Sequence, residues 1–268
     1  MKKRSRNHRN ETAWNTLVRA LRKRDIVSST EVARLAKQYT DVSPDYAQRR
    51  LQRKGVLQRL KNGPRELYVV VAGKNGAFIT DPIEAVQAVC GEEVVFGYGT
   101  ALLLYGLSRY GKLTEYYVVS KSKRKQRPMG EFNIRFVKTP LPKKTGIVTK
   151  HHGRGSVRIT DLERTLIDAI HRPKYAQGWE NVAHALNRAE GVRGNRMIEY
   201  MKQYRTPSLV SRVGLVLQRY AEKWKVAENE IDSLRPYLPK TPVKFARGMG
   251  GTLNRQWNLY VPEGLFND

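Results

Sequence analysis

The chain has 268 residues and a hydrophobic fraction of 40%, enough for one large domain or two ordinary ones with real cores. Fifty Lys and Arg against 24 Asp and Glu give a formal net charge of +26, a field that draws polyanions at long range and makes nucleic acid the first partner to consider. The single cysteine, Cys90, excludes an intramolecular disulfide and a cysteine-rich zinc site, and no run approaches the roughly 18 apolar residues of a spanning helix.

The basic start MKKRSRNHRN runs into an amphipathic pattern, not an apolar signal core, so the expected setting is the reducing cytoplasm. Residues 1–65 hold 18 Lys/Arg against five Asp/Glu, a net of +13, and this asymmetry marks a separate basic module. Trp14, Leu17, Val18 and Leu21 recur at helical spacing, and Val32, Leu35, Ala36 and Tyr39 repeat it after Ser28-Ser29-Thr30-Glu31, which resembles a capping box. A third helix is predicted to open at Ser43-Pro44 and to stop at Lys54-Gly55. At about 100° per residue, Pro44, Ala47 and Leu51 share its inner side, and Tyr46, Arg49, Gln52 and Arg53 its outer side. Two strand-like runs follow around the turn signal Lys61-Asn62-Gly63-Pro64, with Arg59, Lys61 and Arg65 nearby.

Three short helices and a basic hairpin predict a winged helix-turn-helix over residues 1–75. In such a module the third helix enters the major groove, where Arg bonds guanine and Gln bonds adenine, while the wing's cations meet phosphates. Tyr46, Arg49, Gln52 and Arg53 are the candidate base readers; Arg50, Lys54, Arg59, Lys61 and Arg65 are the candidate phosphate contacts. The competing readings are a solvated basic surface and a winged fold that binds protein.

Residues 76–268 form a second predicted domain with a different texture. Asp81-Pro82 opens an apolar helical run to Cys90, and Gly97-Tyr98-Gly99-Thr100 leads into ALLLYGLS, a buried helix ended near Gly106. Strand-like runs at 115–120, 132–137, 146–150 and 156–160 predict a small, mainly antiparallel sheet within about 95–160. The link KSKRKQRPMG (121–130) carries five cations and no acid, and reads as a mobile basic loop that could touch nucleic acid or, equally, as a solvated hairpin tip. Helical patterns at 178–189, 195–204 and 207–224 place a bundle over about 161–225; in the last, Leu209, Val213, Val216, Leu217 and Tyr220 face a core and Gly214 admits a close neighbour. A proline-marked segment then leads to a basic C-terminal extension with Arg247, a GMGG turn and a strand-like WNLYV. The predicted class is α+β: a winged helix-turn-helix followed by a mixed domain with a small antiparallel sheet and a C-terminal helical bundle.

The stretch TDLERTLIDA (160–169) gathers Asp161, Glu163, Arg164 and Asp168, a cluster suited to acid/base or metal chemistry, or to scaffolding. Thr160 follows a strand and Glu163 lies three residues on, so Thr160 is predicted to cap a helix while Glu163 returns a bond to the Thr160 amide. Asp161 suits the first turn, Leu162, Leu166, Ala169 and Ile170 form a buried stripe, and Arg164 and Asp168 make an i, i+4 ion pair on the flank. Asp161 and Asp168 lie about 10 Å apart along such a helix, too far for one small metal ion without further ligands. Scaffold is the favoured reading.

Other chemistry finds little support. His151 and His152 are adjacent on a strand and point to opposite faces, a poor geometry for one metal. The chain lacks HExxH and GxSxG, and GMGG lacks the lysine and hydroxyl of a P-loop. A metal-dependent nuclease would need convergent acids and a lysine; Glu115 and Lys121 flank one strand at a spacing common by chance. The expectation is a protein that is not an enzyme and uses no cofactor or metal, with a nuclease or an RNA- or protein-binding scaffold as alternatives.

GYGTALLLYGLS (97–108), RITDLERTLIDAIHRPKYAQGW (158–179) and SRVGLVLQRY (211–220), in that order behind an N-terminal winged helix, resemble the AbiEi antitoxin family of abortive-infection toxin-antitoxin systems. The resemblance spans most of the chain, and TDLERTLIDAI with Arg172-Pro173 shortly after is its most specific piece. It implies a transcriptional repressor that binds operator repeats upstream of its own operon and counters an AbiEii-like nucleotidyltransferase toxin without a stable complex. Two departures stand out: Tyr105 takes the place of an expected histidine, and Ser211-Arg212 replaces a paired arginine.

Overall fold

The computed structural model describes residues 2–59, 66–71, 81–91, 93–122, 124–129, 131–141, 144–153, 155–204, 206–246, 248 and 250–266, with the backbone alone for 2–10. Lys61, Arg65 and Arg247 lie outside the described residues. The protein is mixed α+β, and the chain divides into two compact units: Met1–Val94 with Thr114–Tyr116 and Lys125–Arg135, and Val95–Leu113 with Tyr117–Arg124 and Phe136–Asp268.

The first unit begins with helix α1 (Lys2–Leu21), strand β1 (Ile26–Ser28), helices α2 (Ser29–Tyr39) and α3 (Pro44–Arg53), and strands β2 (Leu57–Arg59) and β3 (Leu67–Val70). Leu17, Leu21, Val32, Ala36, Ala47 and Leu51 are buried together, so the helical periodicity read along the sequence is what closes this core. The three strands form an antiparallel sheet in the order β1-β3-β2. Three-residue β1 was not predicted: it is too short to show a period. Helix α4 (Pro82–Cys90) packs on β1, capped by Asp81, whose carboxylate accepts from the Ile83 and Glu84 amides.

A six-stranded sheet follows in the order β6-β7-β5-β4-β9-β8, from β4 (Val95–Phe96), β5 (Glu115–Ser120), β6 (Arg127–Met129), β7 (Phe132–Lys138), β8 (Ile147–His152) and β9 (Gly155–Thr160). Its pairing is mainly antiparallel, as expected, at β4–β5, β6–β7 and β8–β9, with two parallel exceptions. β4 runs parallel to β9, and β7 follows β5 in the same direction, from Asn133 N–H on Thr114 O to Thr139 N–H on Ser120 O. The link read as a mobile loop is partly sheet: Arg127–Met129 pairs antiparallel with β7 as an edge strand, where cations and Pro128 discourage further pairing.

In the second unit, helix α5 (Tyr98–Leu104) precedes the sheet's longer strands, and helices α6 (Leu162–His171), α7 (Trp179–Arg188), α8 (Gly194–Tyr204), α9 (Pro207–Arg219) and α10 (Glu228–Asp232) come after them. Helix α6 is the centre of this core: α5, α7, α8, α9 and a 3-10 turn at Pro173–Ala176 all pack on it. Helix α9 ends five residues earlier than its apolar pattern, and Trp224 instead stacks on Tyr220. A small terminal sheet, β10 (Val243–Lys244), β11 (Thr252–Asn254) and β12 (Leu259–Val261), covers the bundle. Trp257, fully buried, lies in the turn before β12 and not in the strand expected for it; an added Cβ at Gly214 would stand 2.1 Å from its ring. No helix among the described residues is long and apolar enough to cross a membrane.

Candidate nucleic-acid interface

Local signals fix the ends of α3. The Ser43 hydroxyl accepts from the Tyr46 amide at 3.3 Å, Pro44 occupies the first turn, and Gly55 at φ +66° ends the helix. Val56 N–H reaches back to Leu51 O and Gly55 N–H to Gln52 O, a Schellman closure that requires the left-handed glycine. Ala47 and Leu51 are buried, while Tyr46, Arg49, Arg53 and Lys54 are exposed and Gln52 is half-buried.

This outer face is braced from beneath. Trp14 of α1 is 7% exposed; its ring meets the Tyr46 ring edge-on at 6.4 Å and carries the Arg50 guanidinium at 4.1 Å. Trp14, expected only in the core, and Arg50, expected only on phosphate, are both tied by this stacking to the position of α3. Gln48 donates to Tyr68 Oη at 2.8 Å, linking the helix to β3. Glu31 engages Arg34 and Arg24, and the Arg34 hydrogen bonds hold its carboxyl below the usual range. Its predicted reciprocal half of a capping box is replaced by these pairs: Ser28 accepts from the Glu31 amide, but the Glu31 carboxylate turns to arginine. Among the described residues Arg49, Arg53, Lys54 and Arg59 form no ion pair, so their charge faces solvent uncompensated. Arg59 is exposed on β2.

The TDLERTLIDA stretch is built differently from its sequence reading. Asp161, not Thr160, caps α6: its Oδ1 accepts from the Arg164 amide at 2.9 Å. Thr160 ends β9, and its hydroxyl meets that of Thr165 at 2.7 Å, so the sheet and α6 have already claimed it. Glu163 turns to Arg193, taking its backbone amide and its guanidinium within 3.1 Å. Burial opposes the Glu163 charge, yet these bonds outweigh it and keep the carboxyl below its ordinary range. The second oxygen of Asp161 accepts from Tyr200 at 2.6 Å and pairs with Arg196 at 2.8 Å. The Arg164–Asp168 pair is not on the flank: both side chains are fully buried, 3.4 Å apart. Arg164 also donates to Thr145 O and Thr139 Oγ1, and Tyr204 donates to Asp168, whose carboxyl burial nevertheless pushes up. Gly146 belongs to this assembly, since an added Cβ would meet Tyr200 Oη at 2.8 Å. Each acid is spent on named donors, which is the work of a scaffold joining α6, α8 and the sheet.

Other candidates remain apart. Glu115 accepts from Arg135 Nε at 2.9 Å. His151 and His152 end β8, and no group of three His, Cys, Asp or Glu among the described residues is placed to hold a metal ion.

The α+β architecture has a solved counterpart. The chain is similar in fold to the crystal structure of the RV2827C protein from Mycobacterium tuberculosis, at a TM-score of 0.64 and 14% identity over 92% of this chain and 90% of that one. No family model and no curated protein matches the sequence.

Proposed function

We propose that the protein is a sequence-specific DNA-binding repressor whose first unit acts as a winged helix-turn-helix, with α3 as the reading helix and the β2–β3 hairpin as the wing. The observation that carries this reading is the exposed, unpaired cationic face of α3, held in place by Ser43, Gly55 and the Trp14 stack. A helix with Arg and Gln on its outer face, preceded by a tight turn from α2, suits the major groove. The domain role assigned to residues 1–75, with 76–268 as the antitoxin domain, is part of the same proposal. So is the antitoxin role against a nucleotidyltransferase-like toxin, which rests on the resemblance of three motifs. In this reading the protein acts by binding and is not an enzyme.

Arg49→Ala and Arg53→Ala each relax discrimination at one base pair by about 1 to 3 kcal/mol, whereas Arg59→Ala weakens all duplexes alike and lowers the salt slope by about one. Competition binding against single-base operator variants measures both. Unchanged discrimination in the two α3 variants removes the reading-helix assignment.

A further inference from the structure

A cleft of about 710 Å³ opens in the second unit, lined by the end of β7, the turn after α6 and Thr206. Its volume falls in the range of small-ligand sites. Arg124, Lys138 and Arg172 line it, and among the described residues no carboxylate does. None of these three cations is ion-paired among the described residues. Arg172 is oriented by one bond, Nη1 to Lys138 O at 3.1 Å, which leaves most of its donors open.

Two aromatic rings complete the lining. Phe136 carries the Arg124 guanidinium at 5.5 Å, and Tyr175 is fixed by contacts with Tyr98 and Tyr117 at 5.5 and 5.6 Å. Thr206 precedes the 13-residue α9 and spends its hydroxyl on Tyr204 O, so no side chain caps that helix and its positive end borders the cleft. His171 also lines the cleft, with a buried Nδ1 that lacks a hydrogen-bond partner. Unpaired cations beside flat rings match phosphate joined to an unpaired base, which a duplex does not present.

We infer that this cleft binds a nucleotide, free or as the end of a single strand, with phosphate on Arg124, Lys138 and Arg172 and the base against Phe136 and Tyr175. The site is independent of the duplex-binding proposal, because its residues lie outside α3 and the hairpin.

The test is equilibrium dialysis of the full chain with labelled ATP, CTP, GTP and UTP at physiological salt, with inorganic tripolyphosphate and a 5′-phosphorylated trinucleotide as competitors. Arg124 and Lys138 are exposed, so R124Q/K138Q keeps the fold; K202Q/K240Q removes the same charge elsewhere on the surface. The expected result is saturable binding of at least one nucleotide, weakened on the order of a hundredfold by R124Q/K138Q and less than about twofold by K202Q/K240Q. Stronger displacement by the trinucleotide than by the mononucleotide assigns the site to a strand end, and the reverse assigns it to free nucleotide. Absence of saturable binding, equal weakening by the two double variants, or displacement by tripolyphosphate as strong as by nucleotide overturns the proposal.

Discussion

Asp168 and Arg164 are both shut off from water, so each depends on the other and on Tyr204, Thr139 and Thr145 for compensation. Asp168→Asn leaves Arg164 as a buried, poorly compensated cation and costs about 3 to 5 kcal/mol in urea unfolding, with duplex affinity of the folded protein unchanged. Lost affinity in a variant of full stability would return this cluster to function. His171 sets a pH dependence of its own. Burial first, then the charges of Arg172 and Arg212, bring it down from 6.5 to about 4. The folded state therefore keeps it neutral while the unfolded chain takes up a proton below about 6.5. This contribution is complete above the unfolded value and is lost as the pH falls toward 4, at no more than about 1.4 kcal/mol per pH unit. The raised carboxyl of Asp168 acts with the opposite sign, so the informative quantity is the difference between the parent and His171→Gln across pH 5 to 7. As the pH falls from 7 to 5 the parent is expected to lose stability relative to the variant; a difference that does not change with pH would contradict a neutral His171 in the folded state.

At the scale of elements, α9 meets the turn before β12 through Gly214 and Gln218, against Trp257 and Gln256. Gly214 leaves room for Trp257, whose indole N–H donates to Gln218 Oε1 at 2.7 Å. Gly214→Ala forces ring or backbone to move and lowers stability by about 1 to 3 kcal/mol, read as a fall in the unfolding midpoint. A variant as stable as the parent would mean that the terminal sheet gives way freely. The close neighbour at Gly214 was legible from the helix, whereas its identity was not, since Trp257 arrives from 43 residues on. Helix α3 was readable because serine, proline and glycine write its ends locally. The start of α6 was misjudged by one position because Thr160 and Asp161 are both competent caps, and the choice between them is made by Thr165. Two-residue β4 carries no period at all, and the charge of the 121–130 link concealed an edge strand. The cleft was invisible for a related reason: its cations and rings come from separate segments, around Arg124, at the end of β7 and after α6, which nothing local brings together.

For the whole molecule, a charge of +26 attracts polyanions of any sequence, so affinity alone would say little about function. What separates a repressor from a polycation is discrimination that survives salt, because counterion release weakens phosphate contacts equally on every sequence. The face of α3 predicts that discrimination. The deciding measurement is fluorescence anisotropy of the full chain on a duplex from upstream of its own gene and on a scrambled duplex, across a salt series. Binding to the upstream duplex is expected to be at least about a thousandfold tighter at physiological salt. Equal affinities that collapse together as salt rises would contradict it.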